Sequence, residues 1–166
     1  MAKKLKDLTV QELLACAIQS EEEDGRIYAD LAQRMRKDYP ATAQSLQAMH
    51  DEEDGHRHRL INLYRERFGE HIPLVRRQDV QGFITRKPLW LAANLPVAMI
   101  RREVEMMENE AHNFYQAAIA QTSDAGGPTD FGPILGLPPY SPRGQMITRS
   151  ACHWAATLTI SRSGRP

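Results

Sequence analysis

Glu53 and His56, three residues apart in a segment with the periodicity of a buried helix, constrain this chain more than any other feature. Reading outward from them, Leu46, Met49, Glu53, His56, Leu60 and Leu63 recur at alternating steps of three and four. That spacing predicts a packed helix with these side chains along its buried seam. A carboxylate and an imidazole in an apolar seam are unfavourable unless something pairs with them. Side chains three apart on a helix face the same way, so both groups can reach one metal ion, and a bound cation is the simplest partner for them.

The neighbouring segments repeat the pattern. A first helix is predicted from Thr9, whose hydroxyl and Glu12 form a capping box, to about residue 36. Its seam is Leu14, Ile18, Glu21, Gly25, Tyr28, Ala32 and Met35. Glu21 lies in that seam, either as a metal ligand or as an edge carboxylate whose head reaches water. Glu22, Glu23 and Asp24 fall on other faces and read as a solvated charge run. Gly25 either makes room beside the ligands or serves a packing contact. The second helix, about 41–68, follows Pro40 as a breaker and ends at Gly69. Its short connection to the first makes the two antiparallel. His50 and His58 lie off the seam and read as surface histidines.

From residue 69 to about 95 the pattern lapses. Pro73, Gly82, Pro88 and Pro96 punctuate it, Trp90, Leu91 and Leu95 anchor it, and a short helix is expected within it. His71 reads as a loop residue. So long a crossover lets the third helix, about 97–121, run parallel to the second, and bundles with one such crossover are ferritin-like. The third seam is Val97, Arg101, Val104, Glu108, Ala111, Tyr115 and Ala118. Glu105, Glu110 and His112 flank it and read as surface groups; Met106 and Met107 read as packing.

The first and third helices form an internal repeat. Glu-Glu-Glu-Asp-Gly-Arg-Ile-Tyr (21–28) matches Glu-Asn-Glu-Ala-His-Asn-Phe-Tyr (108–115), with one seam carboxylate and one tyrosine two turns later. Tyr28 and Tyr115 either pack with their hydroxyls at the edge of the core or donate hydrogen bonds to ligand carboxylates on the opposite helix.

Composition changes abruptly after Asp124. Of 21 acidic residues only Asp130 lies beyond it, and the last 42 residues hold six of the ten glycines and six of the ten prolines but no Glu and no Lys. Residues 1–124 therefore read as a charged helical domain. Residues 125–166 read as an irregular Pro/Gly-rich tail of the kind a shifted reading frame produces, with the fourth helix of a bundle missing or degenerate. Cys152-His153 within it has spacing poorly suited to shared ligation. The balanced charge, 21 basic against 21 acidic residues, gives no argument for nucleic acid or a membrane surface. No signal peptide is visible, and the longest apolar stretch, 88–100, is too short and interrupted to span a bilayer. Cys16 and Cys152 read as reduced thiols of a cytoplasmic protein.

A carboxylate-bridged di-iron site in a helical bundle takes one Glu from each of two helices and Glu-x-x-His from each of the other two. This chain supplies Glu21, Glu108 and one Glu-x-x-His, Glu53/His56; no other histidine follows a glutamate by three. The order Glu-x6-Tyr, Glu-x-x-His, Glu-x6-Tyr resembles the rubrerythrin (erythrin) branch of the ferritin-like proteins. The wording Glu-Glu-Glu-Asp-Gly-Arg-Ile-Tyr-Ala-Asp, with His-Ile-Pro-Leu-Val-Arg-Arg-Gln-Asp-Val after the second helix, is more similar still to the membrane-bound ferritins, in which an erythrin domain is fused to a vacuolar-iron-transporter-like membrane domain. The resemblance spans about residues 8–124. It implies an all-α, ferritin-like antiparallel bundle that binds and oxidises ferrous iron with oxygen or peroxide, a non-haem ferroxidase- or peroxidase-type activity serving iron homeostasis and peroxide protection. Carried over, Glu21, Glu53, His56 and Glu108 would be iron ligands, supported by Tyr28 and Tyr115. The chain departs from that pattern in lacking the second Glu-x-x-His, a membrane domain and a rubredoxin-like cysteine knuckle. A bundle short of one wall favours a homodimer. The competing expectations are a truncated three-helix remnant without catalysis and a metal-free helical dimerisation module whose polar seam residues set register.

Overall fold

In a computed structural model of the chain, residues 3–82 and 96–124 are described. They form three long helices, α1 (Val10–Met35), α2 (Pro40–Phe68) and α3 (Val97–Asp124). The expected tail irregularity, the degenerate fourth helix and the Trp90 anchor fall on residues outside those described.

The capping box that opens α1 is present. Thr9 Oγ1 accepts from the Glu12 amide at 3.2 Å, and the Thr9 amide donates to Glu12 Oε2 at 3.0 Å. Pro40, expected as a breaker ahead of α2, is instead its first residue. The first helical position needs no amide hydrogen, and the fixed φ of proline suits it. Gly69 ends α2 at φ 84°, a left-handed conformation that a side chain would disfavour. The third helix runs one turn beyond the expected residue 121, to Asp124.

Two apolar clusters hold the helices together. The lower one joins Leu13, Leu14 and Ile18 of α1 with Leu60, Leu63 and Tyr64 of α2 and Phe114, Tyr115 and Ala118 of α3. The upper one joins Tyr28, Leu31 and Met35 with Ala43, Leu46 and Met49 and with Ile100, Val104 and Met107. These pairings make α1 antiparallel to both other helices and α2 parallel to α3, as the long crossover requires. Truncating a fully buried leucine such as Leu60 removes both transfer free energy and packing, typically about 2–5 kcal/mol.

The first half of the crossover is pinned to α1 and α2. Tyr64 Oη donates to the His71 carbonyl at 3.0 Å. The short helix expected in this stretch is a 3-10 turn, Arg77–Asp79, with Asp79 accepting from the Arg76 amide at 3.1 Å. An unexpected two-residue strand, β2 (Val80–Gln81), follows and pairs in parallel with β1 (Lys3–Lys4). Val80 is buried in the lower cluster.

Candidate metal centre

Polar side chains occupy the layer between the two clusters. Each seam delivers its group as the periodicity predicts: Glu21 and Tyr28 from α1, Glu53 and His56 from α2, Glu108 and Tyr115 from α3. One donor atom from each of Glu21, Glu53 and His56 lies within 4.8 Å of the others. His56 turns Nδ1 towards both carboxylates, 3.1 Å from Glu53 Oε2 and 3.3 Å from Glu21 Oε2. Glu108 stands outside this trio.

The two tyrosines act reciprocally across the α1–α3 interface. Tyr28 Oη donates to Glu108 Oε1 at 2.8 Å. Tyr115 Oη donates to Glu21 Oε1. Both phenols are pushed well above their ordinary value, first by burial and then by the carboxylates they face, so they remain donors.

The acids are shifted in different directions. Burial, then the hydrogen bond with Glu21, pushes the Glu53 carboxyl well above the ordinary carboxylate value. Burial also works to raise Glu21, but hydrogen bonds from Glu53, His56 and Tyr115 outweigh it, and the net direction is downward. The two carboxyls are thus pushed in opposite directions and titrate as a pair. Burial raises Glu108, against the hydrogen bond from Tyr28.

The donors fit a divalent cation. Glu21 Oε2 is buried and, among the described residues, has the His56 ring nitrogen at 3.3 Å near it and no partner in good hydrogen-bond geometry, an arrangement that suits an approaching cation. Two carboxylates with one imidazole form a mixed oxygen–nitrogen set suited to first-row divalent metals.

The sequence profile of the rubrerythrin family matches residues 12–126. The chain belongs to the rubrerythrin family. No curated protein and no solved structure matches it. Rubrerythrin domains are ferritin-like helical bundles that bind iron, and the Glu21, Glu53 and His56 cluster is compatible with that property. No helix among the described residues of this rubrerythrin-family chain is long and apolar enough to cross a membrane.

Several residues around the centre depart from expectation. Asp24, read as part of a solvated run, is buried and ion-paired with Arg77. Glu110, read as a surface group, is also buried, with Oε2 3.9 Å from Arg77 Nη1. In both cases the crossover covers what helical periodicity alone leaves exposed. His50, read as a surface histidine, is half-buried, and its Nδ1 donates to the Gly25 carbonyl at 2.9 Å. Gly25 lies against this contact: a Cβ there would stand 3.4 Å from His50 Nδ1 and 3.5 Å from Glu53 Cβ, in ordinary van der Waals range. His58 and His71 are exposed, as expected, and Met107 packs in the upper cluster. Arg77 itself carried no expectation. A signal did exist on α1, which buries a second stripe through Leu13, Ala17, Ser20 and Asp24, and so had to be covered on two sides.

Proposed function

We propose that this rubrerythrin-family chain binds ferrous iron through Glu21, Glu53 and His56, with Glu108 serving a second cation position, and oxidises it with oxygen or peroxide. With peroxide, two ferrous ions each give up one electron, and one peroxide takes up two protons to leave two waters. Iron supplies the redox chemistry when bound, and the chain's own groups set the conditions for it. Glu21 presents a buried carboxylate oxygen whose near polar neighbours among the described residues are the His56 ring nitrogen and Glu53. Burial and Glu21 favour the protonated form of Glu53, so cation binding, which needs the deprotonated ligand, competes with protons there. Tyr115 and Tyr28 fix the carboxylates of Glu21 and Glu108 from the opposite helix. In this reading residues 1–124 are the iron-binding unit.

The single observation supporting it is the convergence of three potential ligand atoms from two helices within 4.8 Å of one another, one of them on a buried carboxylate. Anaerobic ferrous titration with metal analysis tests it. Tight binding that is lost in Glu53→Ala supports a metal centre. No binding by the parent chain supports the metal-free helical module instead, and equal binding by both would place the iron away from Glu53. Oxidation is read separately, from ferric absorbance after addition of peroxide.

A further inference from the structure

We infer that Arg77, on the crossover between α2 and α3, is a positioning residue for the metal centre. It holds the helical turn that carries Glu21 against the helix that carries Glu108 and Tyr115. The inference rests on the metal-binding reading above for its consequence, but not for its geometry. Arg77 is buried, unusual for an arginine. Its Nε donates to Ser20 Oγ at 3.0 Å, and its Nη2 donates to the Ser20 carbonyl at 3.2 Å and to Asp24 Oδ2. Ser20 and Asp24 are the two ends of one helical turn, and Glu21 lies between them. On its other side the same guanidinium approaches Glu110 Oε2 at 3.9 Å, two residues after Glu108 on α3. One planar fork therefore touches both helices whose carboxylates and tyrosines must meet.

The backbone presenting Arg77 is itself anchored. The Arg76 guanidinium and Asp79 carboxylate pair at 3.1 Å, Val80 is buried, and β2 pairs with β1 ahead of α1. Lysine in place of Arg77 keeps the positive charge among Asp24, Glu23 and Glu110. A point charge cannot reproduce the fork that engages the Ser20 hydroxyl, the Ser20 carbonyl and Asp24 together. Groups that orient metal ligands typically contribute about 10–100-fold in affinity.

The test compares the full chain with Arg77→Lys and Ser20→Ala. Each is titrated anaerobically with ferrous iron alone, and each metal-free protein is read by the 13Cζ shift of Tyr115, which reports its hydrogen bond to Glu21. Arg77→Lys is expected to keep its metal stoichiometry, bind about tenfold more weakly and shift the Tyr115 resonance. Ser20→Ala is expected to move both readouts in the same direction by less. Unchanged affinity and an unchanged Tyr115 shift in Arg77→Lys would overturn the inference. Should that variant not fold, Ser20→Ala decides by the same two criteria. If the parent chain binds no iron while the Tyr115 resonance still moves, the metal reading falls and the positioning role stands.

Discussion

Glu21 and Glu108 occupy the same place in two helices of like sequence, yet their surroundings differ. Glu21 has Tyr115, His56 and Glu53 around it, and its side chain is 5 % exposed. Glu108 accepts from Tyr28 and lies outside the trio of donors. The difference comes from α2, which lies against the α1 copy of the repeat. Where α1 has Gly25, four residues after its carboxylate, α3 has His112. Gly25 faces His50 and Glu53 of α2, where a Cβ would make ordinary contact and a larger side chain would not fit as readily. A repeated helix thus yields one well-furnished carboxylate and one sparsely furnished one, and the first cation should bind at the former.

The largest test of that asymmetry is direct removal. Glu21→Ala and Glu53→Ala should each weaken the tightest ferrous site by more than about 100-fold, beyond what loss of a supporting group produces. Glu108→Ala should leave that first site within a few-fold while abolishing any second equivalent, as read by anaerobic titration. Equal losses in all three variants would erase the distinction.

The tyrosines sharpen it on a smaller scale. Tyr115→Phe should lower affinity at the first site by about 10-fold or more. Tyr28→Phe should affect the second equivalent and spare the first. The reverse ranking would place the principal site at Glu108.

Acidity gives a third comparison. Glu53 and Glu108 are both raised above 4.5, first by burial, so above that pH the folded metal-free chain holds protons that the unfolded chain has lost. Stability from these groups is present at acid pH and declines as pH rises through their folded values. Glu21, shifted the other way, adds stability that is lost only as pH falls below 4.5. The contribution of these two groups to the urea midpoint of the metal-free protein should therefore fall as pH rises above 4.5, and saturating divalent metal should flatten the decline. Glu53→Gln should flatten it too; an unchanged pH dependence in that variant would contradict the raised Glu53 carboxyl.

Gly25→Ala is the mildest probe. The added Cβ meets ordinary contacts at 3.4 and 3.5 Å. Better helix propensity offsets the crowding, so the change in stability should stay within about 1 kcal/mol. A larger side chain such as Val should push α2 away and weaken iron binding. Unaltered binding in Gly25→Val would show that close approach of α2 is not what furnishes Glu21.

The centre was legible wherever one helix's periodicity decided the outcome. Glu21, Glu53 and His56 converge because alternating steps of three and four place them on facing seams, and the Glu-x6-Tyr repeat on antiparallel helices makes the tyrosine contacts reciprocal. The capping box at Thr9 and the stop at Gly69 were equally local. Asp24, Glu110 and Arg77 were not legible, because their burial depends on the path of a segment with no periodicity. Lys3–Lys4 pairs with Val80–Gln81 across most of the helical sequence, and a two-residue strand leaves no alternation to read. His50 was misread because its partner is a backbone carbonyl on another helix, which side-chain periodicity does not reveal.

The most direct test is an anomalous difference map at the iron edge from crystals grown anaerobically with ferrous iron. The account predicts its strongest peak among Glu21, Glu53 and His56, with His56 Nδ1 as the ligating nitrogen. A map without a peak there, or with its strongest peak at other side chains, would contradict it.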